Sequence, residues 1–319
     1  MVKTVCLAIL NYNGTGHLEY LLPTVRRAVA AYPAPCRAVV LDNCSTQGDA
    51  DWVRSRHPDI EVIAAPANDY LFSYNWLLPR LSEDVVVLLN NDLRVSPGFL
   101  GPLLRHFERE DVFAVSATSL DWEGKVKTCG PAVLKSHHGW YYWSWDTQRQ
   151  EPSHTLFSSG GFSALSRAKF LDLGGFSRAF YPAYCEDLDL CFRAWRRGWR
   201  SVFEPRSVVF HRENGSWGKG AEGIANPLSF RSQLLFAWLT LPPAARMPTR
   251  YLMYAWLLLL NFRHGRRWCV RIWLDAVRTW LQFRRQYGFM KVTRDELRTI
   301  QDRICERVPV DVASAPCEF

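Results

Sequence analysis

Glu83-Asp84-Val85-Val86-Val87-Leu88-Leu89-Asn90-Asn91-Asp92 decides how the chain reads. After Asp84, β-branched residues and leucines run unbroken, the pattern of a strand covered on both faces in a parallel sheet between helices. Polar residues then stand at its carboxyl end, where open α/β sheets hold their ligands. Asp92 places a hard carboxylate oxygen there, of the kind that holds Mg²⁺ or Mn²⁺ against a diphosphate.

Working outward, residues 3–10 read as a first strand, and Asn11 to Gly16 as a polar turn into a helix from about His17 to Ala31. Arg37 to Leu41 is a second strand ending in Asp42-Asn43-Cys44-Ser45-Thr46. A third strand near Ile60–Ala64 and a helix near Tyr74–Leu81 precede the central run. Strands and helices alternating through short polar connections predict a parallel, doubly wound sheet. Pro97-Gly98-Phe99 opens a further helix, and Val112 to Ser116 is another strand.

The 319 residues and 48% hydrophobic content predict a folded globule with one large core or a domain plus an appendage. Nine cysteines without a CxxC or zinc-module spacing read as reduced, packed thiols of a cytosolic protein. The first apolar run is short and lacks a small-residue cleavage site, so it reads as a strand rather than a signal peptide. The net charge of +8 is concentrated: 13 Lys/Arg against 4 Asp/Glu lie between Ala244 and Arg303. A basic, aromatic, helical C-terminal part points to an anionic membrane surface and away from nucleic acid.

Between Asp121 and His154 no clean period emerges. The aromatic run His137 to Trp145, with Trp140 and Trp143, is either a hydrophobic subcore or a platform for sugar rings or a lipid carrier. Gly160-Gly161 lets backbone approach a ligand or another strand. Glu186-Asp187-Leu188-Asp189 opens a helix that closes on basic residues and Gly198, a charge order matched to the helix dipole. Strands at Ser201–Glu204 and Ser207–Phe210 deliver His211.

Five segments in this order, Ile9 to Gly14, Val40 to Thr46, Leu88 to Asp92, Gly174-Gly175-Phe176 with Glu186 to Leu190, and Val209-Phe210-His211, resemble glycosyltransferase family 2, in particular its bacterial rhamnosyltransferase-like branch. The resemblance covers about Val2 to Ser216 and implies the GT-A fold. It implies an inverting, metal-dependent transfer of a sugar from a nucleoside diphosphate donor, a UDP- or dTDP-sugar such as dTDP-rhamnose, to a lipid-linked or growing cell-envelope glycan. By the same resemblance, Leu10, Asn11, Asn13, Asp42, Asn68, Asn75, Asn90 and Asn91 border or bind the donor. Asp92 and His211 hold Mn²⁺ or Mg²⁺, Asp187 is the base and Glu186 orients it. From the aromatic run and the glycine pair themselves, and not from the resemblance, Trp140, Trp143, Gly160 and Gly161 are the candidates to face the acceptor. Asn90-Asn91-Asp92 departs from the family's DxD motif, since its first carboxylate is missing. Asn68 to Asn75 has aromatics where relatives carry glycines.

The residues bear these roles chemically. A carboxylate accepting two neutral donors suits Asp42 for base or ribose, although it equally suits a strand-end cap. An imidazole at His211 favours manganese over magnesium. Asp189 reads as a helix-surface charge. Tyr251 to Phe262 is apolar but short of the about 20 residues that span a bilayer. Arg271, Arg278 and Arg285 recur at seven-residue steps with Trp273 and Trp280 as aromatic anchors, the composition of an interfacial helix or of a helix packed on the catalytic unit. These readings divide the chain into a catalytic domain at 1–225, a helical region at 226–307 and a loose tail at 308–319, peripheral on the cytoplasmic face of a membrane. Two alternatives are a sugar nucleotidyltransferase, against which the lack of a basic residue in Leu10–Gly16 counts, and a catalytically silent glycan- or membrane-binding relative.

Overall fold

The computed structural model describes residues 3–137, 140–212, 226–242, 255, 258, 259, 262, 263, 268–288, 292–304 and 306–308. The first half alternates as expected: β1 (Val5–Asn11), α1 (Thr15–Ala31), β2 (Cys36–Asp42), α2 (Asp49–Arg56), β3 (Glu61–Ala64), α3 (Ser73–Leu77) and β4 (Val85–Asn90). There follow β5 (Leu93–Val95), α4 (Leu100–Arg105), β6 (Val112–Asp121), β7 (Ala132–His137), β8 (Trp140–Trp145), β9 (Ser153–His154), β10 (Phe162–Ser166), α5 (Arg167–Asp172), α6 (Glu186–Arg196) and β11 (Arg200–His211). Three helices close the described chain: α7 (Pro227–Leu239), α8 (Trp268–Gly288) and α9 (Arg294–Arg303).

The apolar run of β4 is buried from Val85 to Leu89 because sheet neighbours flank it and packed layers cover both its faces. Its neighbours are β1, parallel, and β10, antiparallel, in a sheet ordered β3-β2-β1-β4-β10-β6-β11-β5 with β9 paired to β11. β1, β2, β3, β4, β6 and β11 run one way, and β5, β9 and β10 run the other. The mostly parallel expectation therefore holds, and the reversal of β10 is what brings Gly161 beside the end of β4. The two strands expected at 201–210 are one strand with a register shift between Glu204 and Val208, where Pro205 cannot donate to the ladder. The aperiodic aromatic region folds as the β7–β8 hairpin.

Each face of the sheet carries its own core. One is built with α1, whose Leu18, Leu21, Leu22, Val25 and Ala28 form a buried helical stripe, together with α4. The other takes in α6, α7, α8 and α9 through Leu188, Phe192, Leu234, Ala276, Tyr287 and Leu297. Among the described cysteines all are free. Burial pushes the thiols of Cys6, Cys36, Cys129 and Cys191 up to about 12, so they stay protonated packing groups.

The C-terminal helix corrects one reading. Trp273 and Trp280 pack inward on the core, Trp273 edge-on to Trp238, and are not outward anchors. The outward face carries Val270, Leu274 and Leu281 between Arg271, Arg278 and Arg285. The large indoles take the side that removes most apolar area from water. No helix among the described residues is long and apolar enough to cross a membrane. Most of Tyr251–Phe262, and residues 309–319, lie outside the described residues.

Candidate active site

Because six strands share one direction, the carboxyl ends of β1, β2, β4 and β11 place Asn11, Asp42, Asn90 and His211 along one edge of the sheet. At the β1 end, side chains satisfy one another. Asp49 Oδ2 accepts from Asn11 Nδ2 at 2.9 Å and from the Gly14 amide at 2.6 Å, and Asn91 Nδ2 donates to Asn11 Oδ1 at 2.8 Å. Gly14 is required, since a Cβ there would stand 2.0 Å from Asn91 Nδ2. The Asn13 amide donates to Ser45 Oγ, and its carbonyl oxygen Oδ1 accepts from the Thr46 amide at 2.8 Å. Asn11 and Asn91 thus shape the turn, while the backbone of Leu10 stays in the ladder between β2 and β4. Asp49 escaped sequence reasoning, because its partners lie 35 and 38 residues away.

Asp42 behaves otherwise. It is buried, yet its Oδ1 has no hydrogen-bond partner among the described residues. A carboxylate oxygen that is shielded from water and unpaired costs on the order of 1–3 kcal/mol until a ligand donates to it.

The aromatic segment 68–75 is pinned from both sides. Asn43 Nδ2 donates to Asn68 Oδ1 at 2.8 Å, and Asn43 Oδ1 accepts from the Ser73 hydroxyl. Asn75 forms a two-point clamp on Phe176, donating to its carbonyl and accepting from its amide, each at 2.8 Å. Gly175 sits at φ +72 with no room for a Cβ beside Asn75 Oδ1, and Gly174 at φ +76 needs glycine for its backbone alone. Asp69 forms an ion pair with Arg178, whose guanidinium stacks over Phe72 and Tyr181. Asn68 and Asn75 therefore fix the loop, and the exposed edges of Tyr70 and Tyr181 form its outer rim.

Asp92 and His211 meet. Their Oδ2 and Nε2 atoms are 3.6 Å apart, with the carboxylate buried and the imidazole 32% exposed. The pairing follows from β5 and β11, which oppose Leu93 to His211, and from the Arg212 amide bonding the Asp92 carbonyl at 3.0 Å. Among the described residues no group of three or more His, Cys, Asp or Glu gathers. One hard oxygen and one imidazole nitrogen fit a divalent cation whose remaining ligands come from a bound diphosphate.

The acids of α6 complete the edge. Asp187 Oδ2 accepts from the Gly160 amide at 3.1 Å, and Oδ1 from the Leu188 amide at 2.8 Å. The next residue, Gly161, accepts from the Asn90 amide at 2.8 Å, and a Cβ on Gly161 would lie 2.6 Å from Asn90 Nδ2. Gly160 has the same constraint against Leu71. The glycine pair is thus the hinge that ties Asp187 to the end of β4. Burial and the charge of Asp187 push Glu186 well above the ordinary carboxylate range, and its Oε2 has no partner among the described residues. Burial raises Asp187 too, but backbone N–H groups favour its anion. Both acids are therefore harder to ionise than free carboxylates, Glu186 the more so, and the backbone donors draw the pair's charge toward Asp187.

Asp189, expected on the helix surface, is fully buried: Arg193 Nε donates to its Oδ2 at 2.9 Å and the Tyr287 hydroxyl to its Oδ1 at 3.0 Å. A buried carboxylate is tolerable only when paired in this way. Trp143 packs against Trp145 and Phe157 with ring centroids 5.1 Å apart, so the subcore alternative describes it. The side chain of Trp140 lies outside the described residues.

Comparison with known proteins meets this geometry from another direction. The family described as Glycosyl transferase family 2 matches residues 6–174, more than half of the chain. The chain belongs to that family. Its relatives include the N-acetylglucosaminyl-diphospho-decaprenol L-rhamnosyltransferase of Mycobacterium tuberculosis, 26% identical over 247 residues that cover 69% of this chain and 79% of that protein. The O-antigen biosynthesis protein RfbC of Myxococcus xanthus is 29% identical over 162 residues, 46% of this chain and 13% of that protein. Among solved structures, GalNAc-T7 with UDP, GalNAc and Mn²⁺ superposes with a TM-score of 0.60 at 15% identity, covering 75% of this chain and 49% of that one. The mannosyltransferase PcManGT of Pyrobaculum calidifontis, in complex with GDP-Man and Mn²⁺, gives 0.55 at 17% identity, covering 95% and 84%. These likenesses establish the GT-A fold. The protein is a glycosyltransferase, and the nucleotidyltransferase and silent-relative alternatives give way.

Proposed function

We propose that this family 2 glycosyltransferase moves a sugar, with inversion, from a nucleoside diphosphate donor to a hydroxyl of a lipid-linked or growing envelope glycan, with Asp187 as the base. The observation that carries the reading is the Asp187 carboxylate, held by the Gly160 amide on the strand edge that also bears the unpaired Asp42 and the Asp92–His211 pair. Asp42 accepts hydrogen bonds from the nucleoside, and the rim of 68–75 borders the donor sugar. Asp92 and His211 would hold Mn²⁺ or Mg²⁺, which when bound offsets the charge of the departing diphosphate.

As the acceptor oxygen bonds to the anomeric carbon and the bond to the diphosphate breaks, the hydroxyl proton passes to Asp187. Glu186, the harder of the two to ionise, spares Asp187 a second adjacent charge and orients it. The rhamnosyltransferase relative, named for a polyprenyl-diphosphate-linked acceptor, supports an acceptor of that class and a dTDP-rhamnose-like donor. The outward face of α8, apolar between arginines, fits an anionic membrane surface on which such an acceptor is embedded. We assign residues 1–225 to catalysis and 226–307 to this helical support.

The test is a panel of UDP-, dTDP- and GDP-sugars with a short-chain lipid diphospho-sugar, with and without Mn²⁺ or Mg²⁺. One donor should raise the melting temperature and release its nucleoside diphosphate only when acceptor is present. Absence of any donor-dependent stabilisation or release across the panel would sink the reading.

A further inference from the structure

The C-terminal helix α8 reaches two walls of the site through buried polar contacts, and neither contact is needed to bury its apolar face. The first is Tyr287, itself buried, whose hydroxyl donates to Asp189 Oδ1 at 3.0 Å, two residues beyond Asp187 in the first turn of α6. The other oxygen of Asp189 takes Arg193, whose Nη1 and Nη2 donate to the carbonyls of Leu173 and Gly175 at 2.6 and 2.7 Å. Gly175 is the residue wedged against Asn75, so this relay runs from α8 through the base helix to the 68–75 rim.

The second runs through Arg231 of α7. Asp275 and Thr279, one turn apart on α8, hold its Nε and Nη2 at 2.5 and 3.0 Å. Its Nη1 then donates to the carbonyls of Ala179 and Tyr181 at 3.3 and 3.2 Å. The neighbouring Ser232 accepts from the Tyr184 amide and donates to the Ala183 carbonyl, each at 3.1 Å. The whole lead-in to Glu186–Asp187, including the exposed Tyr181, is therefore strapped by α7 and locked by α8.

We propose that α8 is part of the catalytic apparatus, with Tyr287 and the Asp275–Thr279–Arg231 group as positioning residues that set the base helix and the 179–184 wall. The inference rests on Asp187 being the base. Orientation of a reacting group to within a fraction of an ångström is worth one to two orders of magnitude in rate, whereas one buried hydroxyl contributes modestly to stability. Tyr287→Phe should lower kcat about tenfold, leave the donor KM within about twofold and change the melting temperature by no more than about 4 °C. Asp275→Asn, at a half-exposed carboxylate that the fold tolerates losing, should raise the acceptor KM about fivefold with donor KM unchanged.

Hydrogen exchange gives a readout independent of turnover. In Tyr287→Phe, peptides covering 158–162 and 184–190 should exchange faster while those in 36–64 stay unchanged. A lowered melting temperature with kcat per folded molecule unchanged would make Tyr287 a structural rivet and overturn the proposal. So would unaltered exchange at 184–190. Wild-type protein that shows no transfer would count against Asp187 as base, and the exchange pattern would still decide whether α8 governs that helix.

Discussion

At the β1 end of the sheet edge, buried polar groups close on one another: Asp49, Asn11, Asn91 and Gly14 form a network whose carboxylate receives two donors on one oxygen. Asp49 Oδ1 has no partner among the described residues, but its other oxygen holds two donors of the frame; Asp42 has no side-chain hydrogen bond among the described residues, Glu186 Oε2 has no partner there, and the half-buried Asp187 leans on backbone amides alone. The chemistry of the residues is the same and the accounting of hydrogen bonds differs. Closed networks build the frame, and open ones are where a ligand or a proton belongs.

That contrast is sharpest between neighbours on α6. Asp187→Asn keeps the size and one of the two backbone-amide contacts but cannot take a proton, so transfer should fall by about three orders of magnitude, with the donor dissociation constant within about twofold. Glu186→Gln replaces the acid that burial and the Asp187 charge make harder to ionise and should cost only about tenfold. Turnover and donor calorimetry on both variants check this, and equal losses would exchange or merge their roles. Because burial raises the pKa of Asp187 and the anion is the active form, activity should decline on the acid side at a pH above the ordinary aspartate range.

Glu204 on β11 is shifted the opposite way, although its effect is also lost on the acid side. Burial would raise it, but Arg206 and His106, the latter at 2.8 Å, outweigh that and bring it down to about 2. Its folded value lies below its unfolded value of about 4.3, so its stabilisation is fully present above that pH and is lost as pH falls through about 2. The size is on the order of 3 kcal/mol. Denaturant melts of wild type and Glu204→Gln between pH 5 and pH 2 should converge as the pH drops; parallel curves would show that Glu204 is not a frame acid.

Asp49→Ala breaks the closed network itself. It strands the Gly14 amide and leaves Asn11 Nδ2 only the long bond to Ser45 Oγ, and the loss in unfolding free energy should be about 2 kcal/mol, read as a lower denaturant midpoint at unchanged m-value. Donor affinity should weaken only as far as the turn relaxes.

Much of this was legible. The β4 run announced the sheet, its polar terminus and the ends of β2 and β11 announced the edge, and the first-turn acids of α6 announced that helix's start beside the edge, because each signal is local in sequence. What stayed hidden depends on long-range closure. The Asn75 clamp on Phe176 spans 101 residues, and the Tyr287 bond to Asp189 spans 98. The facing of α8 misled for a related reason: an arginine repeat fixes which side is wet, and the tryptophans, capable of lying on either flank, went to the core. In β8 aromatic residues follow one another without a polar alternate from Trp140 to Trp143, which erases the alternation that marks a strand in the sequence.

The smallest effect tests the contrast most directly, because it asks for function without stability. Asp42→Asn exchanges a carboxylate oxygen that is unpaired among the described residues for an amide of the same shape. No protein hydrogen bond is lost from that atom, and a buried charge is removed, so the melting temperature should stay level or rise slightly. Donor binding should weaken about tenfold, the worth of one hydrogen bond to a charged acceptor exchanged for one to a neutral group. Asp49→Ala, which removes the oxygen that holds Gly14 and Asn11, should reverse the pattern, lowering stability more than affinity. If Asp42→Asn instead melts early and binds donor normally, Asp42 belongs to the frame as a strand-end cap, and an unpaired buried oxygen is no guide to where this enzyme meets its nucleotide.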